Sequence, residues 1–351
     1  MTDKKLKVAV VGLGMGRHHV KEFQKHAGCE VVAVMDVDAA RLDSRADELG
    51  VKGRYTDMDA MLKKEQLDIV CIATPNVFHK PLTIKALEAG CHVLCEKPMA
   101  MNAAEAREML AAAERSGRRL MINFSFRFSA AAWPLKQEVE SGLLGDIYFA
   151  RTQWLRRRGL PGFGGWFGQK ALAGGGPLID LGVHRLDLAL WLMGYPQPVW
   201  VMGATYNHIG KRLADEQQKA FDVEDLAAAF VRFDNGATLE LTASWASNIN
   251  ERELIETRLL GTKAGLVQRN MNEGYDFESE IYLERNGVQY NMHPHGKMPA
   301  GPGSAMAHFA DSIINDVPHI ATGEEGLIVM ELLDAIYASA ASGEPVKIAA
   351  E

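Results

Sequence analysis

Lys7–Asp36 reads KVAVVGLGMGRHHVKEFQKHAGCEVVAVMD. A short apolar run, Lys7–Val11, meets Gly12-Leu13-Gly14-Met15-Gly16 at once. A helical pattern follows, with Val20 and Phe23 on one side, and a second apolar run, Glu30–Met35, ends in Asp36. Strand, glycine turn, helix, strand and acid, in that order, predict a βαβ unit that binds a dinucleotide. The glycines let backbone N–H groups approach a pyrophosphate at the helix N-terminus. Asp36 stands about 20 residues beyond them, where a carboxylate binds ribose hydroxyls. Its charge opposes a 2′-phosphate and Val37 offers no cation, so NAD is expected over NADP. Arg17 and Arg41 are the cations that argue the other way. In the usual GxGxxG the third glycine would fall on Arg17; here Gly16 comes one residue early.

The alternation continues outward from this unit. Strands are expected at Leu67–Ala73, Cys91–Cys95 and Arg119–Asn123, with helices through Leu82–Leu87 and Ala103–Arg115. Such a pattern predicts a parallel, doubly wound sheet with right-handed crossovers. Ligands of these sheets lie at the carboxyl ends of the strands. Gly12–Gly16, Asp36, Thr74-Pro75-Asn76 and Glu96-Lys97 all fall there, which puts Lys97 above the cofactor.

After Asn123 the pattern changes. At 351 residues the chain exceeds one typical core, so two domains are expected, 1–123 and 124–351. Phe124–Phe128, which carries Arg127, is the crossing. Thr238–Trp245 alternates with period two, and Phe233-Asp234-Asn235-Gly236 before it is a hairpin signal. The second domain therefore reads as α+β, with a large, mostly antiparallel open sheet. Helices on one face leave the other uncovered, which predicts a homodimer or homotetramer through that sheet. A last helix, 324–341, is expected to pack back on the chain.

Ala173–Met193, AGGGPLIDLGVHRLDLALWLM, reads as an unbroken helix after Pro177. Apolar residues surround it, so it is buried. Asp180, His184 and Asp187 lie at i, i+4 and i+7, in one stripe. A carboxylate one turn from an imidazole suits a general base; a buried network serving only the fold is the alternative.

Taken together, GLGMGRHH, Ile72–His79 (IATPNVFH), Ala89–Ala100 (AGCHVLCEKPMA), Gly174–Asp187 and Glu324–Val346 resemble the glucose–fructose oxidoreductase/inositol dehydrogenase family. The resemblance implies a catalytic group of Lys97, Asp180 and His184, and a cis bond at Pro98. It implies NAD contacts from Gly12, Gly14, Met15, Gly16, Asp36, Thr74, Asn76, His79, Glu96, Lys97 and Arg127, with Trp166 beside the nicotinamide. It also implies hydride transfer between NAD and a secondary alcohol of a sugar, glycoside or inositol-type polyol. Some relatives cleave glycosides through transient oxidation by NAD, and others are non-catalytic regulators that bind NAD or sugar. Regulators need no lysine, aspartate and histidine together, so the full set here argues for an enzyme.

Composition narrows the partners. The net charge is −7, which argues against nucleic acid. No apolar run approaches the roughly 18 residues of a membrane span. The first residues have no signal-peptide layout, and Cys29, Cys71, Cys91 and Cys95 read as core thiols, so a reducing cytoplasm is expected. Arg156-Arg157-Arg158 reads as a solvated strand edge before an acid-binding patch. His293 and His295 read as surface histidines, with no metal site.

Overall fold

A computed structural model describes residues 5–294 and 303–348. The chain forms two compact units, Met1–Phe124 with Pro302–Met330, and Ser125–Gly301 with Glu331–Glu351. The first unit is therefore not one continuous stretch: 303–330 belong to it as well.

The first unit alternates β1 (Leu6–Val11), α1 (Gly16–Lys25), β2 (Cys29–Met35), α2 (Ala39–Leu49), β3 (Gly53–Tyr55), α3 (Met58–Lys64), β4 (Ile69–Ile72), α4 (His79–Glu88), β5 (His92–Cys95), α5 (Ala103–Ser116) and β6 (Leu120–Ile122). Its sheet is parallel throughout, in the order β3-β2-β1-β4-β5-β6. The order reverses between β1 and β4, where such sheets open a crevice. Val8–Val11 and Ile69–Ile72 are wholly buried because helices cover both faces. Caps end the helices as the sequence directs. Asp38 accepts from the Arg41 N–H at the start of α2, and Gly50 closes it at φ +67°.

The second unit holds α6 (Trp133–Glu140), β7 (Ile147–Arg156), α7 (Lys170–Ala173), α8 (Val183–Met193), β8 (Pro198–Tyr206), α9 (Ile209–Glu216) and β9 (Leu226–Phe233). It continues with β10 (Thr238–Ser244), β11 (Glu253–Gly261), β12 (Ala264–Asn270), β13 (Phe277–Arg285) and β14 (Val288–Met292). Helix α10 (Ala305–Ile314) belongs to the first unit, α11 (Gly323–Ser342) begins in the first unit and ends in the second, and β15 (Val346–Lys347) joins the sheet of the second. The nine-stranded sheet runs β14-β13-β12-β11-β7-β10-β9-β8-β15 and is antiparallel except for the β7–β10 pair. Alternation sorts β7 cleanly: Ala150, Thr152 and Trp154 are buried, while Arg151 is exposed. Helix α8 lies on the buried face, where Thr152 Oγ1 donates to the Arg185 carbonyl at 3.2 Å. Among the described residues no helix is long and apolar enough to cross a membrane.

Candidate active site

In the first unit the glycine loop is built by close approach. Gly12 adopts φ +89°, and a Cβ there would lie 2.4 Å from the Ala73 carbonyl oxygen. A Cβ on Gly14 would meet nothing within 4 Å, so the loop presents bare backbone to open space. A Cβ on Gly16 would lie 2.9 Å from Val10 Cγ1. Gly16 therefore seats α1 on the sheet, the task the usual third glycine performs one residue later. Asp36 follows β2 and is buried. Its Oδ2 accepts from the Leu13 N–H at 2.9 Å and Arg41 Nε at 2.8 Å. Its Oδ1 accepts from the Asp38 N–H and Arg41 Nη2, both at 2.9 Å. Burial raises the Asp36 pKa, but Arg41 and the two backbone donors outweigh it and hold the carboxyl below its usual value. Open backbone at Gly14 and an anionic Asp36 at the next strand end fit the pyrophosphate and ribose of NAD.

At the neighbouring strand ends His79 is fully enclosed. Its Nδ1 lies 2.7 Å from the Pro98 carbonyl oxygen and its Nε2 lies 2.9 Å from that of Thr74. Burial pulls its pKa down. His79 thus ties the Thr74–Asn76 loop to the Lys97–Pro98 junction, whose peptide is cis. Asn76 is buried beside it. Glu96 Oε2 accepts from the Lys97 N–H at 3.1 Å, while Oε1 accepts from Asn123 Nδ2 at 2.6 Å. Gly12, Gly14, Met15, Gly16, Asp36, Thr74, Asn76, His79, Glu96 and Lys97 thus share the carboxyl edge of one sheet.

In the second unit the triple glycine is a packing device. Cβ atoms on Gly175 and Gly176 would lie 2.0 Å from Tyr337 Oη and from the Glu224 carbonyl oxygen. The Glu224 carboxylate accepts from the Gly176 and Leu178 N–H groups at 2.8 and 3.1 Å, and from Tyr337 Oη at 2.9 Å. These contacts cap the start of the next element, which is a π-helical turn, Leu178–Gly182, rather than the expected unbroken α-helix. Burial raises the pKa of Glu224, against those donors.

The wide turn divides the expected stripe. Asp180 Oδ2 accepts from Trp245 Nε1 at 3.0 Å. The His184 ring packs on the edge of a Phe126–Trp154 pair, with centroids 5.1 and 5.8 Å away and the pair's own centroids 5.5 Å apart. Trp154 is fixed in turn, its Nε1 donating to Glu253 Oε1 at 2.6 Å. Asp187 turns to Arg127: the wholly buried guanidinium donates from Nε at 3.0 Å and from Nη2 at 2.5 Å. Trp166 stacks on Phe167 at 3.9 Å, and Phe167 meets Trp245 edge-on at 6.4 Å. Asp180, His184 and Trp166 are thereby gathered around one aromatic cluster, whereas Arg127 serves the seat of α8.

The arginine run is engaged locally. Arg156 Nε donates to Glu253 at 2.7 Å, and Arg158 Nη2 to Asn248 Oδ1 at 2.9 Å. His293 is half-exposed beside Glu280, and His295 lies outside the described residues. Among the described residues no three His, Cys, Asp or Glu side chains group to hold a metal. All four cysteines are buried and free. Sequence reasoning missed Trp154, Glu224 and His19. Trp154 carried a signal, an inward-facing tryptophan near a strand end; the other two act through long-range contacts.

Residues 6–124 match the model of an oxidoreductase family with an NAD-binding Rossmann fold, and residues 136–348 match that family's C-terminal alpha/beta domain. The chain is 34% identical to D-glucoside 3-dehydrogenase of Escherichia coli (strain K12), over 99% of both chains. Aldose-aldose oxidoreductase from Caulobacter crescentus, solved with glycerol, superimposes with TM-score 0.84 at 28% identity, covering 98% of this chain and 100% of that one. GenD2 from gentamicin A biosynthesis, solved with NAD, gives TM-score 0.82 at 27% identity, covering 99% and 97%.

Proposed function

The chain belongs to the glucose–fructose oxidoreductase/inositol dehydrogenase family of NAD-binding oxidoreductases, and from that premise we propose that it oxidises a ring hydroxyl of a glycoside or related polyol. The observation that carries this reading is His184, packed against the Phe126 and Trp154 rings one turn after an Asp180 fixed by Trp245. The full-length likeness to D-glucoside 3-dehydrogenase supports a glucoside as the substrate class.

NAD, when bound, accepts the hydride from the alcohol carbon. Gly12, Gly14 and Gly16 hold its pyrophosphate against α1, and Asp36 takes its ribose hydroxyls. His184 removes the hydroxyl proton as the general base. Asp180 orients the hydroxyl or the ring. The Lys97 ammonium donates to the reacting oxygen and stabilises its developing negative charge. Arg127, through Asp187, keeps α8 and hence His184 in place. Trp166 would stand on the nicotinamide side of the substrate site when NAD is bound. The two units serve as the NAD-binding and substrate-binding domains.

The outward face of the larger sheet carries Trp200, Met202 and Phe230 among ion pairs such as Arg151–Glu240. A second copy covering that face makes the working form a homodimer or homotetramer, read directly by light scattering. Its reduced, buried cysteines suit the cytoplasm.

The test is a panel of D-glucosides, aldoses and inositols with NAD, followed by NADH absorbance. NADH accumulating in step with ketone supports dehydrogenation. Glycoside cleavage without net NADH would indicate transient oxidation instead.

A further inference from the structure

His19 lies on the first turn of α1, close after the glycine loop, and is 2% exposed. Its Nε2 reaches Glu96 Oε1 at 2.9 Å, and its Nδ1 lies 3.2 Å from Cys71 Sγ on β4. Glu96 in turn accepts from the backbone N–H of Lys97 through its other oxygen. Two hydrogen bonds therefore run from the cofactor helix to the residue that carries the ammonium. Asn123, just after β6, donates to the same Glu96 Oε1 that His19 reaches.

We propose that His19 is a positioning residue for Lys97, acting through Glu96 to fix the backbone from which the lysine extends. This rests on the catalytic reading of Lys97. A seat for α1 alone needs no such device: Gly16 already brings the helix against Val10 and Ala73. The link to Glu96 reaches past those contacts to the residue that precedes Lys97. Two residues after Glu96, the Pro98 carbonyl is held by His79. With His79 on one side and the His19–Glu96 pair on the other, both flanks of Lys97 are tied to buried rings.

Burial opposes a proton on His19, but Cys71 and Glu96 outweigh it and raise the pKa to about 10. Burial likewise opposes charge on Glu96, but His19, Asn123 and Lys97 pull its pKa down to about 2. The titratable groups facing the pair are Cys71 on β4, Cys95 on β5, His79 on α4 and Lys97 itself.

Removing His19 alone strands a buried carboxylate, so the decisive comparison removes that charge first. Full-length Glu96→Gln is compared with His19→Ala/Glu96→Gln, and Lys97→Met is the reference. Each is assayed with NAD and the alcohol found by the panel, well below its Tm, and titrated with NADH by fluorescence. The double variant is expected to lose roughly 10- to 100-fold in kcat relative to Glu96→Gln, because small misplacements of a reacting group have effects of that size. Its Kd for NADH should stay within about threefold of the single variant, since α1 remains seated. His19→Gln, which keeps a donor toward the side chain at position 96, should recover part of the kcat when placed in the same Glu96→Gln background. Equal kcat in the two Glu96→Gln variants, with Lys97→Met inactive, would overturn the role of His19 alone. Full activity in Lys97→Met would overturn the catalytic reading on which it rests.

Discussion

The Arg41 guanidinium grips both carboxylate oxygens of Asp36, at 2.8 and 2.9 Å. With the Leu13 and Asp38 N–H groups, it fills all four acceptor positions of that carboxylate. A ribose can reach Asp36 only by displacing Arg41, the one side chain among the four donors. Wild-type enzyme should prefer NAD over NADP by at least about tenfold in kcat/KM, or about 1.4 kcal/mol. Asp36→Ala should erase most of that preference. Arg41→Ala should widen it, by removing the cation that a 2′-phosphate would seek. Steady-state kinetics with both cofactors checks all three, and equal efficiency in the wild type would mean that Arg41 outweighs Asp36.

Lys97→Arg keeps the charge but replaces a compact ammonium with a planar fork. Near-complete loss of turnover is expected, with an unchanged circular dichroism spectrum. A well-active arginine variant would reduce Lys97 to a distant positive charge.

Gly176→Ala tests the packing of the triple glycine. The added methyl would lie 2.0 Å from the Glu224 carbonyl oxygen, which is backbone and cannot swing away. A loss of at least about 1–3 kcal/mol in unfolding free energy is expected, together with lost activity as the π turn shifts. Denaturant titration reads the first and kinetics the second. Wild-type stability would show that the turn yields freely.

The His19–Glu96 pair gives stability a pH window. His19 is raised from 6.5 to about 10, so its contribution is complete below pH 6.5 and fades as pH rises toward 10. Glu96 is lowered from 4.5 to about 2, so its contribution is complete above pH 4.5 and fades as pH falls toward 2. The stability difference between wild type and His19→Gln/Glu96→Gln should therefore be largest between those two ordinary values and shrink on either side. Thermal melts across pH measure it. A flat difference would mean that the pair is neutral.

The Rossmann unit was legible because its information is local. Strand period, the Gly12–Gly16 turn and Asp36 lie within one βαβ stretch, and the parallel topology puts their strand ends on one edge. The shifted glycine was legible as an oddity but not as a solution, since only packing reveals that Gly16 faces Val10. Asp180 and His184 were visible as polar residues in an apolar helix. The π turn that separates their surroundings was not, because Glu224 and Tyr337 impose it from distant parts of the chain. Arg127 illustrates the same limit. The resemblance implied an NAD contact for it, and no local signal showed that Asp187, far along the chain, holds its guanidinium in a buried pair.

The measurement that bears most directly on the proposed chemistry compares wild type with His184→Ala. NADH formation from a substrate glycoside is followed under saturating conditions, and NADH affinity is measured separately by fluorescence. Loss of a positioned base should lower kcat by roughly 10²–10⁴ while NADH affinity stays near normal. Turnover within a few-fold of wild type would contradict the assignment and leave the Asp180–His184 helix a structural element.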